Sequence, residues 1–98
     1  MKLLTKEITK KLPPLYAQDG KGKEAIAFVK FFTPDSNWTW YATEFDPETG
    51  EFFGLVESPM ASELGYFTLD ELKSIKGPMG LPIERDRYFS PTALNKIN

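Results

Sequence analysis

The run Trp38-Thr39-Trp40-Tyr41-Ala42-Thr43-Glu44-Phe45-Asp46-Pro47-Glu48-Thr49-Gly50-Glu51-Phe52-Phe53-Gly54-Leu55-Val56-Glu57 decides how this chain folds. Its flanks are dense in aromatic and β-branched residues, which suit a pleated, half-buried surface. Between them, Asp46 to Gly50 carries turn chemistry: Pro47 presets one φ, and Gly50 accepts the positive φ with which such bends often close. The run therefore reads as a hairpin of two strands, Trp38 to Phe45 and Glu51 to Glu57.

Working outward, Thr33-Pro34-Asp35-Ser36-Asn37 is a second turn of the same kind. It is preceded by Glu24 to Phe32, apolar on nearly both faces and so expected as a central strand. Three strands joined by hairpin-length loops predict an antiparallel meander. Upstream, Thr5 is placed to cap a short helix with Leu4, Ile8, Leu12 and Leu15 near one face, stopped by Pro13-Pro14. Downstream, Ser58 to Glu63 reads as a loop and Leu64 to Phe67 as a short extended piece. Thr68-Leu69-Asp70-Glu71 is a capping box, with Phe67 and Leu72 as its hydrophobic staple. Lys73 and Lys76 suit the helix C-terminus, and Gly77-Pro78 ends it. Ser90-Pro91 opens a last helical turn or two, to Ile97. The expected fold class is α+β in one domain over residues 1–98: an N-terminal helix, a three-stranded antiparallel meander, and two short C-terminal helices packed on the sheet.

Composition narrows the chemistry. The 98 residues include no cysteine and no histidine, which removes disulfides, thiol nucleophiles, imidazole proton shuttles and Cys- or His-based metal sites. With no apolar run suited to a signal peptide or a membrane span, the expectation is a cytoplasmic protein that does not enter a membrane. Fourteen aromatics must carry much of the core. The net charge of −2 conceals a division: residues 1–30 are net +4, residues 31–71 carry nine acids and no Lys or Arg, and the remainder is net +3. Such asymmetry bears on partners rather than on fold.

Few constellations survive. Glu44 and Glu57 are candidates for paired-carboxylate chemistry, which needs a cleft between them; the simpler reading is solvent-facing charge on a half-buried sheet. Asp35, Asp46 and Glu48 sit at turns but do not form a calcium loop, and Gly20-Lys21-Gly22-Lys23 lacks the remainder of a phosphate loop. No metal and no cofactor are expected. Ala27-Phe28-Val29-Lys30-Phe31 matches the later half of an RNA-recognition signature, without its leading basic residue and with a long acidic segment after it. Trp38 and Trp40, two apart on one sheet face, and Tyr41 are either core or a binding hot spot.

Taken together, Leu3-Leu4-Thr5-Lys6-Glu7-Ile8, Lys11 to Tyr16, Val29 to Asp35 and above all Trp38 to Asp46 resemble the bacterial family catalogued as domain of unknown function 2958. Phe52 to Val56, Glu63 to Phe67, Leu69 to Leu72 and Gly80 to Asp86 fit it too. The resemblance implies a stand-alone domain typical of mobile genetic elements, to which no catalytic residue or cofactor is attached. The resulting expectation is a non-enzymatic accessory protein of a mobile element, possessing an acidic sheet region that binds a protein partner and inhibits a host defence nuclease. Its contact residues are Trp38, Trp40, Tyr41, Glu44, Asp46, Glu48, Glu51 and Glu57. The alternatives are a nucleic-acid-binding module using the N-terminal lysines and strand aromatics, and a small carboxylate-dependent enzyme.

Overall fold

The computed structural model describes residues 2–97. Helix α1, Lys6–Lys11, starts where Thr5 Oγ1 accepts the Ile8 N–H at 3.2 Å and stops at Leu12, whose extended backbone leads into Pro13-Pro14. Leu15 falls beyond it. A 3₁₀ turn, Gly22–Glu24, precedes β1 (Ile26–Ala27) and β2 (Val29–Phe32). The expected Glu24 to Phe32 strand is thus shorter and broken at Phe28. Strands β3 (Thr39–Asp46), β4 (Glu51–Glu57) and β5 (Ser62–Thr68) follow, then α2 (Leu69–Ser74), β6 (Glu84–Arg85), β7 (Thr92–Ala93) and a 3₁₀ turn at Leu94–Lys96.

The expected meander is present as β2–β3–β4, but the antiparallel sheet is larger, in the order β5-β4-β3-β2-β6. At two edges the structure differs from the expectation. Ser58 to Ala61 is a hairpin turn, in which Ser58 Oγ accepts the N–H groups of Met60 and Ala61 at 3.3 and 3.2 Å. The expected extended piece Leu64 to Phe67 is the later part of β5, an edge strand in which only Phe67 is buried; Ser62 and Glu63, expected in the loop, begin it. At the C-terminus, Thr92–Ala93 pairs with Ile26–Ala27 in a separate two-stranded ribbon, and the Leu94 N–H donates to Ala25 O at 2.9 Å. Long-range pairing prevails there over a helical segment too short to stand alone. The fold remains α+β, with α2 as the one C-terminal α-helix among the described residues.

Two clusters cover opposite faces of the sheet. One joins Val29, Phe31, Trp40, Ala42, Phe45, Phe52 and Phe67 to Leu3, Leu12, Leu72 and Ile83. Its centre is the cross-strand row Phe45–Phe52–Phe67, with ring centroids 4.4 and 5.2 Å apart. The other joins Tyr41 and Leu55 to Ala25, Ala27 and Leu94, with Phe89 and Ile97 against it. The capping box of α2 is complete: Glu71 N–H donates to Thr68 Oγ1, and Thr68 N–H to Glu71 Oε1, both at 3.0 Å. The helix nevertheless ends at Ser74, before Lys76 and Gly77-Pro78.

Candidate functional site

The β3–β4 pairing shifts register between Ala42, opposite Gly54, and Glu44, opposite Phe53. Thr43 is the extra residue of a β-bulge, a device that re-aims the side chains around it. Gly54 permits it, because a Cβ there would collide with the Tyr41 carbonyl oxygen. Beyond the bulge, alternation along paired strands sets two consecutive rows on one face: Glu44–Phe53–Tyr66, then Asp46–Glu51–Thr68.

Glu44 is only 4% exposed. Its Oε1 accepts the Tyr16 N–H at 2.8 Å and its Oε2 the Gln18 N–H at 2.7 Å. These bonds tie the segment after Pro13-Pro14 to β3 and hold Tyr16 at φ 74°, a left-handed conformation uncommon for a bulky residue. Gln18, also buried, donates from Nε2 to Ile26 O and Thr43 O, both at 2.9 Å, and accepts the Ile26 N–H. Thr43 Oγ1 donates to Phe53 O at 3.0 Å. Each buried polar side chain here is thus satisfied by hydrogen bonds, as low-dielectric surroundings demand.

Above this floor is a cavity of about 350 Å³, walled by Tyr16, Phe53 and Tyr66 and rimmed by Gly20 and Gly22. The Phe53 and Tyr66 rings meet edge to face at 4.9 Å. Desolvation, then contact with the Tyr16 side chain, then the charges of Glu51 and Glu44 push the Tyr66 phenol above its ordinary value. Tyr16 also borders a shallow depression of about 500 Å³ lined by Pro14, Leu15, Asp46, Pro47, Glu48 and Glu51. The Leu69 N–H donates to Gly50 O at 2.9 Å, which brings the start of α2, with its Asp70 and Glu71, up to the same hairpin turn.

The contact residues expected from sequence therefore separate. Asp46, Glu48 and Glu51 gather at the β3–β4 turn, where the Asp46 carboxylate accepts the Glu48 N–H at 2.9 Å. Trp40, Tyr41 and Glu44 are at most 5% exposed, so they offer a partner no outer face in this conformation; Glu44 does border the cavity beside it. Trp40 and Tyr41 belong to the two different core clusters. Trp38, 43% exposed, stacks on Trp40 at 5.9 Å near the opposite end of the sheet. Glu57 is at that end too, about 20 Å of strand from Glu51, with its carboxylate accepting the Ser62 hydroxyl at 3.2 Å. Glu44 and Glu57 are about 13 Å apart along the sheet, against the roughly 5 to 9.5 Å that separates the carboxyls of a glycoside-hydrolysing pair. Tyr16, Gln18, Phe53 and Tyr66 were not anticipated; the one available signal was Gly54, since a glycine inside a strand marks a bulge or a close approach.

Other parts of the surface are of mixed character. A groove of about 700 Å³ runs past Trp38, Lys30, Arg87 and Tyr88; Lys30 is 4.0 Å from Asp86 and Arg85 donates to Lys2 O at 2.6 Å. Phe31, the last aromatic of the RNA-recognition-like string, is fully buried. Asp35 accepts the Met79 N–H at 2.8 Å and so clamps the loop after α2. Among the described residues, no three carboxylates converge to hold a metal ion, and no helix is long and apolar enough to cross a membrane. The family described as Protein of unknown function (DUF2958) matches residues 3–95. No curated protein and no solved structure matches the chain.

Proposed function

Because the chain belongs to that family of unknown function, we propose from the site itself that it is a non-enzymatic binding module whose acidic sheet end engages a basic protein surface. The observation that carries this is the gathering of Asp46, Glu48 and Glu51 at one turn, beside the start of α2 and the exposed Tyr16. Exposed charges of one sign steer encounter and select partners more than they add affinity. Tyr16, 65% exposed, and Tyr66, 52% exposed, supply the aromatic contact that affinity needs. The narrower reading, an accessory protein of a mobile element that inhibits a defence nuclease, rests on the same complementarity, since a nucleic-acid groove is basic.

Affinity capture from a host lysate, with the parent and with Asp46→Lys/Glu48→Lys/Glu51→Lys as paired baits, tests the proposal. The parent is expected to retain a basic protein that the folded triple variant loses. Equal capture by both baits would overturn it. The nucleic-acid alternative draws on the exposed Trp38 beside Lys30 and Arg87. It predicts steeply salt-dependent binding of a single-stranded probe, abolished by Lys6→Gln/Lys10→Gln/Lys11→Gln or by Trp38→Ala.

A further inference from the structure

We propose that the cavity walled by Tyr16, Phe53 and Tyr66 over Glu44 is a receptor for one cationic side chain, the head of an arginine or lysine presented by the basic partner. The inference rests on the protein-binding reading above and assigns its central contact. Glu44 is a buried carboxylate whose hydrogen-bond partners are two backbone N–H groups. Among the described residues no lysine or arginine pairs with it. A buried charge without an opposite charge is costly, and two accepted bonds leave part of a carboxylate's roughly four lone-pair sites free. Aromatic faces attract a cation held within about 6 Å, and three aromatic side chains line the same cavity as this acid.

Size and access fit as well. About 350 Å³, at the small end of ligand pockets, leaves room for a single side chain. Among the lining residues, Gly20 and Gly22 have φ of 82° and 53°, and a Cβ at either would meet nothing within 4 Å, so no packed side chain closes the cavity there. Asp46 and Glu51 occupy the next row on the same face and extend the negative field outward, which raises the local concentration of a cation. Tyr16 borders both the cavity and the hairpin depression. A partner seated on the acidic turn is thereby placed to insert a basic side chain beside it. An anion is repelled by this arrangement, and a neutral amide gains a hydrogen bond without the charge that strengthens it.

The test is an amide NMR titration of the full chain with Nα-acetyl-arginine amide and Nα-acetyl-lysine amide, using Nα-acetyl-citrulline amide as the isosteric neutral control. The cations are expected to give saturable shifts at the Tyr16, Gln18, Gly20 and Gly22 amides in the millimolar range, and citrulline much weaker ones. Tyr66→Leu, at an exposed position, should weaken binding about fivefold while Tyr66→Phe retains it. Equal shifts from citrulline and arginine, no saturable shift from either cation, or undiminished binding by Tyr66→Leu would overturn the assignment. Silence toward the probes, with partner capture still lost in the hairpin triple variant, removes the cavity and leaves the acidic surface. A specific cation response with undiminished capture supports the cavity and removes the acidic turn as the docking surface.

Discussion

Glu44→Gln is the sharpest perturbation of this architecture, because it preserves shape and changes one atom of a buried group. One carboxylate oxygen becomes an NH₂ that faces a backbone N–H, of Tyr16 or of Gln18, now 2.8 or 2.7 Å from an acceptor. One bond to a charged acceptor is lost and a donor is set against a donor, a loss of about 2 to 3 kcal/mol. Glu44→Ala removes both acceptors, for about 3 to 6 kcal/mol. A domain of this size has on the order of 5 to 15 kcal/mol in total, so the alanine variant is expected to be close to unfolding. In urea melts followed by Trp fluorescence, the Gln variant should lower the midpoint by roughly 1 to 2 M. Amide exchange should quicken first at Tyr16 and Gln18, ahead of the β3–β4 ladder. Glu48→Gln, at the exposed turn, is the control and should stay within about 0.5 kcal/mol of the parent. A Gln variant as stable as that control would refute the view that Glu44 clamps the 13–18 segment.

Other substitutions probe independent parts of the account. Gly54→Ala should cost about 2 to 4 kcal/mol in the same melts, because its Cβ meets the Tyr41 carbonyl in mid-sheet, where backbone cannot yield. Thr68→Ala should cost about 1 kcal/mol through loss of the cap, and a change near zero would argue against the capping box. Tyr41 contributes a pH dependence: burial first, then the charges of Glu57 and Asp86, raise its phenol above 10.0. With the folded value above the unfolded one, its contribution is complete below pH 10 and is lost as pH rises through the folded value. Tyr41→Phe should therefore flatten the fall in stability above about pH 10, as measured by denaturant melts of the two proteins across that range.

What was legible in the sequence was whatever local chemistry determines. The capping box at Thr68 needs only four residues to be recognised, and the turns at Asp35 and Asp46 declare themselves by Pro, Asp and Gly. The three central strands were dense enough in aromatic residues to be read. The elements that escaped depend on distant partners. β5, exposed along most of its length, was legible only as the extended piece Leu64 to Phe67; β6 and β7 are two residues each, and nothing in such short segments signals a strand until β2 and β1 present an edge to them. The candidate site failed for a related reason. Glu44 follows a bulge, and Gly54, which makes that bulge possible, lies on the facing strand. Alternation counted along β3 alone cannot tell a solvent-facing acid from one buried against residues 16 and 18. Asp46 and Glu48, by contrast, were placed at the turn by turn chemistry alone, and Glu51 at the head of the strand that follows it.

The most direct test of the acidic sheet end as a working surface is the association rate of the captured partner, measured by stopped flow against ionic strength. Steering between exposed charges is screened over about 8 to 10 Å at physiological salt. The parent should therefore associate fast at low salt and slow steeply as salt is added. Asp46→Lys/Glu48→Lys/Glu51→Lys should lower the low-salt rate at least about tenfold and leave it nearly independent of salt or rising with it. A triple variant with the parent's rate and salt slope, while Lys6→Gln/Lys10→Gln/Lys11→Gln abolishes association, would contradict the account and move the site to the basic N-terminal helix.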